Sequence, residues 1–194
     1  MAGTDIKNAD NIDAVQFVIQ STHVAAAPAG HARLYRLNDG AWYEADENGQ
    51  GFARFKQPCA RVRNSANQSI ASGGAAKVLT FNTEDYDTDN IHDNGVAPSR
   101  LTCQTAGLYL IIGQAEWQSN TSGRRTLTIV LNGATYIAIS NDIAAGSNGQ
   151  VVTTPYLLGV GDYIELMAFQ DSGTNLNVIG GQAHSPVLAM CRIG

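Results

Sequence analysis

The stretch "EDYDTDNIHDNG" carries the residues best suited to bind an ion, with Asp85, Asp87 and Asp89 at every second position. Carboxylates at that interval open a calcium-binding loop, where successive odd positions supply oxygen ligands. Asn90 stands where such a loop has its glycine, and Val96 where it has its bidentate glutamate. As an EF-hand the segment fails. On a strand, however, alternate aspartates share one face, and backbone carbonyls beside them would suit a hard cation. Calcium at Asp85, Asp87 and Asp89 is therefore a candidate, against the plainer alternative of a solvated acidic edge with no cofactor. His92 lies beside this loop and is expected to hydrogen-bond within it.

His184 and Ser185 are adjacent, but neighbours on a strand point to opposite faces, so they do not form a nucleophile–base pair. There is no Gly-x-Ser-x-Gly elbow. "SGGAAK" has the wrong spacing for a phosphate-binding loop, and no helix follows it. His23, His31, His92 and His184 are too scattered to suggest a metal site. Trp42 and Trp117 suit either a core or a glycan platform; Trp117 continues an apolar run, which favours the core. No carboxylate pair can be placed across a groove for glycoside hydrolysis. The chain is expected not to be an enzyme.

The elements that position these residues read as strands. Apolar residues alternate in short runs, and the runs are separated by pairs such as Asn94-Gly95, Ser122-Gly123, Asn132-Gly133 and Ser172-Gly173. Such pairs supply the positive φ of tight turns, and many short strands between them predict an antiparallel sandwich or barrel. Charged residues are only 15% of 194, too few for disorder. The net charge of −5 without a basic run excludes a nucleic-acid partner. No apolar run is long enough to span a bilayer. The polar start "MAGTDIKNADNID" does not resemble a signal peptide. Cys59, Cys103 and Cys191 have no metal-ligand spacing, and their odd number forbids complete pairing. Buried free thiols are the expectation, a disulfide between two of them the alternative.

Two parts separate near "KQPC". Residues 1–57 hold a polar arm, the apolar run "AVQFVI", the spacer "AAAPAG" and the runs "HARLYRL" and "AWYEA". Residues 58–194 are a continuous series of strands. The first part is too small to bury a good core alone and is expected to lean on a partner. Several strands in the second part are apolar on both faces. In "GLYLIIG", Leu108, Leu110 and Ile112 oppose Tyr109 and Ile111; in "GDYIELMAF", Tyr163, Met167 and Phe169 oppose Ile164, Leu166 and Ala168. A sandwich strand normally keeps one wet face, so a second dry face predicts another subunit.

Four segments in order, "TAGLYLIIGQAEW" (105–117), "IVLNG" (129–133), "LLGVGDYIEL" (157–166) and "HSPVLAMCRIG" (184–194), resemble the C1q/tumour-necrosis-factor superfamily. The resemblance implies an all-β jelly-roll head over 58–194 and a homotrimer. It places Leu108, Leu110, Ile112 and Gln114 toward the threefold axis, with Tyr109 and Ile111 in each subunit's own core. His184 falls near the axis where the family often has an aromatic residue; three imidazoles there would repel one another's protons. Within this pattern "GVGD" is a turn, in which Gly161 reverses the chain and Asp162 accepts backbone hydrogen bonds. Some trimers of this family bind calcium, which adds to the case for the aspartates.

"APAGHARLYRLNDGAWYEADENGQ" resembles a segment that recurs in bacteriophage fibres and head appendages, and "VLTFNTEDYDTDNIHD" is similar to phage-type C1q-like domains. The implied protein is a virion component assembled in the host cytoplasm. Its N-terminal segment would attach to a capsid or other virion protein through Val15, Phe17 and Ile19, and its head would project. The alternative is a tail-fibre tip that binds a host receptor or surface glycan.

Overall fold

The computed structural model describes residues 19–20, 33–37, 42–45, 51–53, 57–143 and 146–194, and their regular structure is all strand. The chain divides into two compact units, Met1–Lys56 and Gln57–Gly194. In the first, β1 (Ile19–Gln20), β2 (Arg33–Leu37), β3 (Trp42–Ala45) and β4 (Gly51–Ala53) form one sheet in that order. β1 runs parallel to β2, with Ile19 opposite Arg36, and the remaining pairs are antiparallel. Ile19 thus has a strand partner within its own chain, which the sequence reading had not given it. Val15 and Phe17 lie outside the described residues.

The second unit is a two-layer sandwich. Its strands are β5 (Cys59–Arg63), β6 (Gln68–Ile70), β7 (Lys77–Val78), β8 (Thr83–Asp87), β9 (His92–Asp93) and β10 (Ala97–Thr102), then β11 (Gly107–Asn120) and β12 (Arg124–Leu131), then β13 (Thr135–Ile143), β14 (Gly146–Leu158), β15 (Tyr163–Gln170), β16 (Leu176–Val178) and β17 (Val187–Arg192). One sheet has the order β13-β12-β15-β10-β9, with β7 on β15; the other has β6-β16-β11-β17-β5-β8, with β14 on β11. All pairs in both are antiparallel.

The alternation seen in the sequence decides which residues meet between the layers. Tyr109, Ile111 and Trp117 of β11, with Leu188 and Met190 of the neighbouring β17, face Leu127 and Ile129 of β12 and Ile164 and Leu166 of β15 in one buried cluster. Each such side chain contributes roughly 1.5–3 kcal/mol by leaving water. At Gly113 the layers pack tightly, since an added Cβ would lie 2.5 Å from Leu166 Cδ1.

Two expectations change. Cys59 and Cys191 form a disulfide between β5 and β17, and only Cys103 is a buried free thiol. The partners are 132 residues apart, and spacing alone cannot pair cysteines at such a distance. The second face of β15, expected to need another subunit, is partly covered from within. Arg100 lies 4.6 Å over the Tyr163 ring and Arg124 5.2 Å over Phe169. Long cationic side chains can shield apolar surface while keeping their charge wet.

Candidate functional site

The feature that sets this sandwich apart is the outer face of its long-strand sheet. β11 alternates strictly: Tyr109, Ile111 and Ala115 are fully buried, while Leu108 and Leu110 are 38% and 37% exposed. Ile112 and Gln114 follow on the same outer face, both half-buried. Strand register extends the face sideways. β14 sets Leu157 opposite Leu108, Pro155 opposite Leu110, Thr153 opposite Ile112 and Val151 opposite Gln114. β17 sets Cys191 opposite Leu110 and Ala189 opposite Ile112. Ile193, one alternation beyond Cys191, donates its N–H to the Leu108 carbonyl at 2.7 Å.

One end of this face is therefore an apolar patch of Leu108, Leu110, Leu157, Pro155 and Ile193. Leu157 is 72% exposed and Ile193 53%. A contiguous patch of large apolar side chains on an ordered sheet marks an interaction surface. The sequence reading found the β11 half of it but missed Leu157 and Ile193. Both were legible in principle, because Val151, Thr153, Pro155 and Leu157 continue one period-2 face.

The other end of the face is polar and internally paired. His184 Nε2 lies 2.8 Å from Glu116 Oε2, next along the Leu110–Ile112–Gln114 alternation. His184 thus has a carboxylate partner on β11 of its own chain, which the resemblance did not indicate. Ser185 does not join His184 in any chemistry. Its hydroxyl is buried, donates to the Ile179 carbonyl at 2.6 Å and accepts the Glu116 N–H at 2.7 Å.

The aspartates of the candidate cation site take different partners in the fold. Asp85 pairs with Arg61 and Arg63 of β5. Asp87 accepts the N–H groups of Asp89 at 3.0 Å and His92 at 2.8 Å, closing the turn after β8. The His92 ring bonds Glu84 through Nδ1 at 2.8 Å, as the loop reading expected. Among the described residues no three His, Cys, Asp or Glu side chains are grouped to hold a metal ion. The sequence could not show this, because the arginines that take Asp85 come from another strand.

Elsewhere polar groups serve the fold. Trp117 is buried, with Nε1–H donating to Gln150 Oε1 at 3.0 Å, so it is not a glycan platform. Arg125, 1% exposed, donates to the carbonyls of Ser122 at 2.9 Å and Arg124 at 3.1 Å. Burial pulls its guanidinium below the ordinary arginine range, against the opposing charge of Asp171. Burial likewise pushes the Cys103 thiol up. The "GVGD" turn behaves as read. Gly161 has φ +89, and Asp162 Oδ2 accepts the Gly159 N–H at 2.8 Å. No helix is long and apolar enough to cross a membrane, among the described residues.

No family model matches the chain, and no curated protein matches it. Solved structures do. Murine APRIL at pH 8.0 matches with a TM-score of 0.55 and 12% identity over 71% of this chain and 100% of its own. Murine APRIL at pH 5.0 gives 0.54 and 10% over the same shares. The globular domain of zebrafish complement 1qA gives 0.48 and 17%, over 71% of this chain and 98% of that one. At such identities the likeness to APRIL is one of fold. The fold is the C1q/tumour-necrosis-factor-like jelly roll.

Proposed function

We propose that this chain is a non-enzymatic structural protein of a bacteriophage virion, a homotrimeric head fibre, decoration or collar component. The C1q-like head projects, and the N-terminal segment attaches to a capsid or other virion protein. The observation that carries the reading is the outer face of β11 and β14. Leu108, Leu110, Leu157 and Ile193 are ordered, adjacent and left open in a single chain, and three copies around an axis would cover them. The fold is one whose members are typically homotrimers, which supports the same arrangement. The virion assignment rests on the resemblance of the segment spanning β2 and β3 to phage appendages. Sedimentation equilibrium tests the trimer: three times 20.6 kDa is expected, and a monomer at micromolar concentration would refute it.

A receptor- or glycan-binding tip is the second reading. Tyr136, 58% exposed on β13, favours it as an aromatic surface on the opposite sheet. Binding of the full chain to host cells, lost on Tyr136→Ala with the trimer intact, would move the assignment to that reading.

A further inference from the structure

The Cys59–Cys191 bond stands where the chain enters the head. Lys56 ends the first unit, Gln57 begins the second, and Cys59 is the first residue of β5. β5 and β17 share five register pairs, from Cys59↔Cys191 to Arg63↔Val187. The cysteines occupy the pair nearest the first unit. Noncovalent ties gather at the same point. Arg192 N–H donates to the Pro58 carbonyl at 2.9 Å, Thr88 Oγ1–H to the Gln57 carbonyl at 2.6 Å, and Cys59 N–H to Thr88 Oγ1 at 2.9 Å.

A pull on residue 57 acts on the end of an antiparallel ladder. Ladder hydrogen bonds loaded from the end fail one after another, each at low force, so β5 would peel from β17 and β8. A covalent link at the first pair stops this before any pair opens. It passes the load to β17, which lies between β11 and β5 in the sheet. At the far pair, Arg63↔Val187, the same link would protect none of the pairs before it.

We propose that the Cys59–Cys191 disulfide is a mechanical latch, which carries load from the N-terminal unit into the centre of the long-strand sheet and keeps β5 from unzipping. The latch gains its purpose from the proposed function, in which the N-terminal segment is the anchor and the head takes the drag. Closing it passes two electrons and two protons from the two thiols to a disulfide oxidant such as oxidised glutathione, which leaves as two thiols. Dithiothreitol reverses the exchange.

Single-molecule pulling tests it on the full chain, with one handle at the N-terminus and the other on a bio-orthogonal residue at Ala106, exposed just before β11 at the end of the sheet that holds Cys59, so that the force acts across the strands. Oxidised protein is expected to show no extension from the head before the sandwich itself ruptures. With dithiothreitol, or in Cys59→Ala/Cys191→Ala, an early low-force step should appear as β5 peels. Adding Arg63→Cys and Val187→Cys to that variant should restore the link but leave a shortened early step, limited to β5. The same early step in oxidised wild type, or none after reduction, would overturn the latch. Pulling reads the latch alone and particle binding reads the anchor, so each can fail without the other.

Discussion

Asn132 and Asp162, from two different turns, hold each other. The Asn132 side-chain amide donates to Asp162 Oδ1 at 2.9 Å, and Asn132 Oδ1 accepts the Tyr163 N–H at 2.9 Å. The first turn joins β12 to β13 and the second carries the chain from β14 in one sheet to β15 in the other, so one clasp ties a hairpin to a crossover between the layers. Asn132 has φ 52 and Gly161 φ +89, and both turns need such residues to reverse the chain. Asn132→Ala removes both contacts and places alanine in the left-handed region. The expected loss is about 1–3 kcal/mol by urea denaturation. An unchanged midpoint would show that the clasp contributes nothing.

The clasp makes stability depend on pH. The hydrogen bond from the Asn132 side chain, then that from the Gly159 N–H, hold the Asp162 carboxyl below the ordinary aspartate range. A folded pKa below the unfolded one stabilises the fold above the unfolded value, about 4, and this is lost as pH falls through the folded value. Wild type is expected to melt above Asp162→Asn at pH 6, with the gap closing below about pH 4. A gap that stays constant from pH 6 to pH 2.5 would refute the assignment.

Gln150 is the interior counterpart of the clasp. It is 1% exposed, accepts from Trp117 Nε1, and donates to the carbonyls of Ser140 at 2.8 Å and Arg125 at 3.3 Å. Gln150→Leu leaves those partners buried without a match, at about 1–3 kcal/mol for each group stranded. Chemical denaturation followed by tryptophan fluorescence measures this. A loss below about 0.5 kcal/mol would show that water replaces the amide.

The cysteines give a thiol count. Cys103 is fully buried, and burial raises its pKa, so iodoacetamide at pH 8 should label no thiol in the native protein. Denaturation without reductant should expose one, and with reductant all three. Three labelled thiols without reductant would show that Cys59 and Cys191 are unpaired. Removing the bond by Cys191→Ala is expected to cost about 2–4 kcal/mol.

Leu110 lies at the middle of the exposed apolar patch, and an aspartate there would bring three unpaired charges together in the trimer. The cost is on the order of 5 kcal/mol per trimer. Leu110→Asp should dissociate or precipitate, while Tyr136→Asp on the opposite sheet should remain assembled. A normal trimer from Leu110→Asp would place the axis on another face.

Period-2 alternation made the sandwich and the two faces of β11 legible from sequence, because a side chain's direction along a strand is a local property. Asp162 and Gly161 were legible for the same reason, as a turn needs only its own residues. What stayed hidden came from partners distant in sequence. The arginine partners of Asp85, Arg61 and Arg63, come from another strand; His184 has Glu116, and Cys59 has Cys191. Gln150 carries no signal of its own, since nothing in "NGQVVTTP" reveals an indole hydrogen-bonded to its amide.

The central claim, a trimeric head carried on a virion by its N-terminal segment, is tested most directly by adding purified protein to phage particles made without this chain. Full-length protein should bind them, and residues 57–194, still trimeric by sedimentation, should not. Binding of residues 57–194 as tight as that of the full chain would contradict the account.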